Sequence, residues 1–145
     1  MSLFGALCDS PTNLSLSSKF TVVNGILYMG TGTLLLIWPG AVQTLFFDAE
    51  FVGRESALVQ ILGMAVAIIG WFYLFGGRSG GRQVVAASVF VRITLVPIVL
   101  VPLVVDGVFP HLLLTLAVLD PVLGLCAWCL LRKEPTTEAL DNSAA

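Results

Sequence analysis

Charge is what this chain has least of: Asp, Glu, Lys and Arg make up 11% of its 145 residues, against about 25% in an average soluble domain. With so few charges, and with 57% of the residues hydrophobic, a water-soluble fold of this length has no interior large enough to hide its apolar surface. The same balance excludes a disordered chain. Histidine occurs once, and the seven cations form no basic stripe on a chain of formal net charge -2, which excludes nucleic-acid binding. Three cysteines build no disulfide framework. Cys8 lies in a polar tail, while Cys126 and Cys129 sit in an apolar run with no second pair and no nearby histidine to complete a metal or redox site. Glycine-rich phosphate loops, metal-ligand spacings and haem motifs are also missing, so neither cofactor nor metal is expected. No basic residue precedes the short apolar stretches of residues 1–18, which argues against a cleavable signal peptide.

What the chain does have is four long apolar segments, at about residues 20–38, 57–75, 84–105 and 112–131. Each reaches the roughly 20 residues that a bilayer-spanning helix needs. Pro39-Gly40, Gly76-Gly77, Asp106-Gly107 and Arg132 to Pro135 end them in turn. The expected fold is therefore all-α, a single integral membrane four-helix bundle with short polar tails. Lys19, Arg78, Arg82, Arg132 and Lys133 fall on one side of this topology and only Arg54 on the other, which places both termini in the cytosol. On that topology Asn13-Leu14-Ser15 is a chance match to the glycosylation triplet. The opposite side carries Asp48, Glu50, Glu55, Asp106 and His111, with Asp48 and Glu50 expected in a solvated loop. Leu45-Phe46-Phe47 and Phe51-Val52 are expected to lie in the interface or to cap the bundle.

Two charges have no aqueous position in this scheme. Arg92 in the third span and Asp120 in the fourth each lie roughly 12 Å deep, and antiparallel neighbours would bring them together. A charge in lipid costs at least about 2.5–3.5 kcal/mol, so both are expected to face the bundle interior, paired or wet. Other polarity follows helical spacing. Asn24, Tyr28 and Thr31 make one stripe, and Gln60, Met64, Ala67 and Trp71 make another leading from Glu55. These stripes suit the lining of a cavity better than a purely structural ion pair does. Pro97, Pro102 and Pro121 free carbonyls near the charged residues, and the glycines of the first two spans read as packing residues. His111, beside Pro110 and near Asp106, reads as a helix-end residue within reach of proton shuttling.

A carboxylate held ionised by an arginine accepts a proton from water, and a second carboxyl group kept protonated can donate one. This combination suits opening of an epoxide by water, and the soluble limonene epoxide hydrolases use comparable Asp-Arg-Asp chemistry on a different fold. The layout from Asn24 to Leu131 resembles the membrane-integral epoxide hydrolases of fungal polyketide clusters of the aurovertin and citreoviridin type. The likeness rests on Trp38-Pro39-Gly40, Phe51-Val52-Gly53-Arg54-Glu55, Phe75-Gly76-Gly77-Arg78-Ser79-Gly80, Gly107-Val108-Phe109-Pro110 and Leu119-Asp120-Pro121. The resemblance implies hydrolytic opening, with or without ring closure, of a lipophilic polyene epoxide in an endoplasmic-reticulum membrane. On that reading Asp120 is the base, Arg92 orients it, and Glu55 or Asp106 is the acid. Tyr28, Asn24 and Gln60 position substrate or water, with Trp71 and His111 at its margins. The partners expected are a lipophilic small molecule and the bilayer, and a homo-oligomer is allowed. Two other classes compete: a non-enzymatic accessory subunit of DoxX-like layout, and a small oligomeric transporter or proton pathway.

Overall fold

The computed structural model describes residues 11–134, and within them the secondary structure is entirely helical. Six helices are formed: α1 Leu16–Ile37, α2 Ala41–Phe46, α3 Glu55–Arg78, α4 Arg82–Ile93, α5 Leu95–Val105 and α6 Pro110–Lys133. Four helical segments, with α4 and α5 together forming one of them, are long and apolar enough to cross a membrane. The protein is thus built as a multi-pass membrane protein, and Cys8 of the sequence reading lies outside the described residues.

α1 starts earlier than its apolar run because a polar cap extends it. The Ser15 hydroxyl accepts a hydrogen bond from the Ser18 backbone N–H at 3.2 Å and so opens α1 ahead of the first apolar residue pair. At α3 the Glu55 carboxylate accepts from the Val52 N–H at 2.7 Å, folding the preceding turn back onto the helix start. The third span is interrupted at Thr94, between α4 and α5. Pro97 brings no N–H to the Ile93 carbonyl, and the Thr94 hydroxyl turns back to the Phe90 carbonyl at 2.7 Å.

The tightest packing joins α1 to α3, antiparallel, through small residues spaced seven apart. Ser18, Gly25 and Gly32 meet Gly77, Gly70 and Gly63 respectively. A Cβ on Gly25 would collide with the Leu74 backbone and one on Gly70 with the Met29 backbone, so only glycine allows this approach. α4 and α5 pack on α6, completing the bundle.

Each end is sealed by an apolar cluster and a polar tie. At one end Val85, Val89 and Ala127 pack with Phe20 and Leu131. There Ser17 donates from its N–H and hydroxyl to the two Glu134 carboxylate oxygens, at 2.8 and 2.9 Å, and Arg82 stands 3.8 Å from the same carboxylate. Partial burial raises the Glu134 pKa, but the hydrogen bonds from Ser17 and Ser15 and the Arg82 charge outweigh it and hold the carboxyl below its ordinary value.

At the other end Leu35, Ala41, Val42, Val59 and Leu112 form a cluster, against which Phe46, Phe51 and Phe109 pack. Asp48 is buried there, not solvated as its loop position implies. One of its oxygens accepts from the His111 N–H and the other from the Leu112 N–H, both at 2.9 Å. Asp48 therefore caps α6 from a distant loop, satisfying N–H groups that have no partner within their own helix. The α2 region divides between the two expected roles: Phe46 packs inward, whereas Leu45, Phe47 and Val52 face outward.

Candidate functional site

The inward stripe of α4 is Val85, Ser88, Val89 and Arg92, a helical spacing that carries the arginine into the bundle. Arg92 is 2% exposed. Its guanidinium carbon lies 4.9 Å from the Tyr28 ring centroid and 4.5 Å from that of Tyr73. The two rings meet edge to face, with centroids 5.6 Å apart. Desolvated cation–π contacts contribute about 2 kcal/mol each, and two of them match the roughly 2.5–3.5 kcal/mol cost of an arginine at this depth. The aromatic pair thus does the work that the sequence reading gave to Asp120.

Arg92 and Asp120 do not form an ion pair. The reason is register: the Arg92 Cβ faces Gly124, one turn along α6 from Asp120, and the guanidinium extends toward the α1 and α3 tyrosines. Asp120 is 8% exposed on the inward stripe of α6 with Leu113, Ala117 and Gly124. Its Oδ1 has no hydrogen-bond partner, and neither has the buried Tyr28 hydroxyl or Arg92 Nε. Unsatisfied buried polar atoms cost about 1–3 kcal/mol each, and two of them, on Tyr28 and Asp120, mark a place able to receive something polar.

That place is a cavity of about 380 Å³. Tyr28, Thr31, Thr115 and Asp120 supply its polar lining, and aliphatic side chains of all four spans, joined by Phe46 of α2, supply the rest. The size and the sparse polar groups suit a small apolar ligand with one polar function. Thr115 is already committed to the His111 carbonyl at 2.7 Å, which leaves Tyr28, Thr31 and Asp120 unengaged, with the Tyr28 hydroxyl and Asp120 Oδ1 the buried atoms among them.

The remaining residues singled out from the sequence lie elsewhere. Asn24 is buried on α1 one turn before Tyr28 but does not line the cavity. Gln60 is exposed, and Trp71 stacks on Phe75 at 4.5 Å on an outward groove. Their stripe points outward because Val59, Gly63, Val66, Gly70 and Gly77 take the inward face of α3. Glu55 accepts from the Val52 N–H in the turn before α3 and Asp106 is exposed at the end of α5, neither lining the cavity. The His111 ring nitrogen Nδ1 lies 2.9 Å from Asp48, not beside Asp106. Tyr73 and Asp48 are the residues that sequence reasoning missed. Tyr73 was legible in part, since it stands three residues beyond Gly70 on the buried side of α3.

Among the described residues no group of His, Cys, Asp and Glu could hold a metal ion, and Cys126 and Cys129 are exposed. Comparison with protein-family models, with curated proteins and with solved structures finds no match to this chain.

Proposed function

We propose that the protein is a small integral membrane hydrolase that opens the epoxide of a lipophilic polyene or polyketide with water. One observation carries this reading: Asp120 Oδ1 and the Tyr28 hydroxyl, buried and without partners, belong to residues that line one mainly apolar cavity. A proton acceptor and a proton donor on the lining of one cavity are what hydrolytic ring opening needs.

In the proposed step Asp120 takes a proton from water as the water oxygen forms a bond to one epoxide carbon. The carbon–oxygen bond of the ring breaks, and its oxygen takes the Tyr28 proton. Transfer of the proton from Asp120 to Tyr28 then resets the site, and the product is a vicinal diol. Where a hydroxyl of the same substrate attacks in place of water, the product is a cyclic ether. Arg92, stacked on the Tyr28 ring, places a fixed positive charge beside the group on which negative charge develops. Tyr28 replaces Glu55 and Asp106 as the acid in this scheme, because neither carboxylate lines the cavity.

The end of the bundle that carries Lys19, Arg78, Arg82, Arg132 and Lys133 is proposed to face the cytosol. In a eukaryotic cell the membrane would be the endoplasmic reticulum, where lipophilic polyenes partition. The reading is tested by incubating the protein in membranes with polyene epoxides in oxygen-18 water and following label into diol by mass spectrometry. Label in the diol supports it, and unlabelled or unconverted epoxide across the panel counts against it.

A further inference from the structure

We infer that the cavity takes its ligand sideways from the bilayer, through the gap that α5 leaves beside α1 and α3, and that the ligand is a long-chain molecule with one polar function held inward. Only the identity of that polar function, an epoxide, rests on the proposed activity.

The gap follows from the packing. α5 buries no residue, and its packing within the bundle is mainly on α4 and α6. The space it fails to fill is the cavity, which is not enclosed and is bordered by Leu27 of α1 on one side and by Leu95 and Val99 on the other. These three are 47%, 55% and 48% exposed. Packed clusters occupy the two ends of the bundle, one around Leu35, Val42 and Leu112 and the other around Val85, Val89 and Ala127.

The occupant follows from the lining. Aliphatic side chains at the gap match a hydrocarbon chain. Deeper, Tyr28 Oη and Asp120 Oδ1 offer one donor and one acceptor to a polar group. A molecule dissolved in lipid would insert its polar function between them and leave its tail among the lipid chains.

The test uses the full chain in phosphatidylcholine nanodiscs and two photoreactive probes, a long-chain epoxide and the matching long-chain alcohol, each with a diazirine in its tail. Adducts are mapped by peptide mass spectrometry. Lateral admission gives adducts on Leu27, Leu95 and Val99 with both probes. Val99→Trp and, independently, Leu27→Trp close the gap from opposite sides and abolish them, while Ile98→Trp, 69% exposed and off the cavity, leaves them unchanged. Adducts confined to the outward groove at Trp71 and Phe72, or adducts at Leu95 that survive both gap-filling variants, overturn the inference. The alcohol needs no turnover, so its labelling reports admission alone. Adducts with both probes but no oxygen-18 diol would leave lateral admission standing and remove the hydrolase reading. Oxygen-18 diol whose formation ignores both tryptophans would do the reverse.

Discussion

Arg92 reaches across the bundle to Tyr73, with the guanidinium carbon 4.5 Å from the ring centroid. The cost of the intramembrane cation is therefore offset by aromatic rings, on α3 and on α1, and not by the carboxylate on α6. Tyr73→Phe keeps the ring face and is expected to change stability little. Tyr73→Leu should lose about 2 kcal/mol. Denaturant unfolding of the detergent-solubilised protein measures the difference, and equal losses in the two variants would reject the stacking account.

Tyr28 separates stacking from chemistry. Tyr28→Phe preserves the contact with Arg92 and deletes a buried hydroxyl that has no partner. Stability should hold or rise by about 1 kcal/mol, whereas epoxide turnover should fall by about 100-fold or more, the usual contribution of a general acid.

The α1–α3 seam makes a sharper distinction between glycines. Gly70→Ala drives a methyl into the Met29 backbone and should strongly reduce the yield of folded protein. Gly30→Ala, where nothing lies within 4 Å, should be neutral or stabilising by up to about 1 kcal/mol. Size-exclusion profiles and thermal unfolding of both variants check the contrast.

Acid should loosen the clasp at the α1 end. The folded pKa of Glu134 lies below its ordinary value of 4.5, so the stabilisation is complete above pH 4.5 and is lost as pH falls through the folded value. Hydrogen exchange at the Ser17 amide should accelerate below that pH. Glu134→Gln should exchange faster at neutral pH and respond less to acid.

The four spans were legible because the bilayer demands length and apolarity, and both are visible in a row of letters. Their caps were less so, since Ser15 and Asp48 act through hydrogen bonds outside the apolar pattern. The site was legible only at its charged members. Arg92 and Asp120 stand out in an apolar run, and Tyr28 and Thr31 share the stripe that the structure places on the cavity. The partner of Arg92 could not be read from two opposite charges, because a shift of one turn, from Asp120 to Gly124, is enough to separate them. Gln60 and Trp71 failed for a related reason. Their spacing is helical, but the glycines of α3 have first claim on the inward face.

The central claim is that Asp120 and Tyr28 form one acid–base pair, and single-turnover assays in oxygen-18 water on wild type, Asp120→Asn, Tyr28→Phe and the double variant test it most directly. Groups that act in one step are grossly non-additive. Each single variant should therefore lose nearly as much labelled diol as the double, with all four proteins equally folded. Wild-type levels of labelled diol from Asp120→Asn would contradict the account.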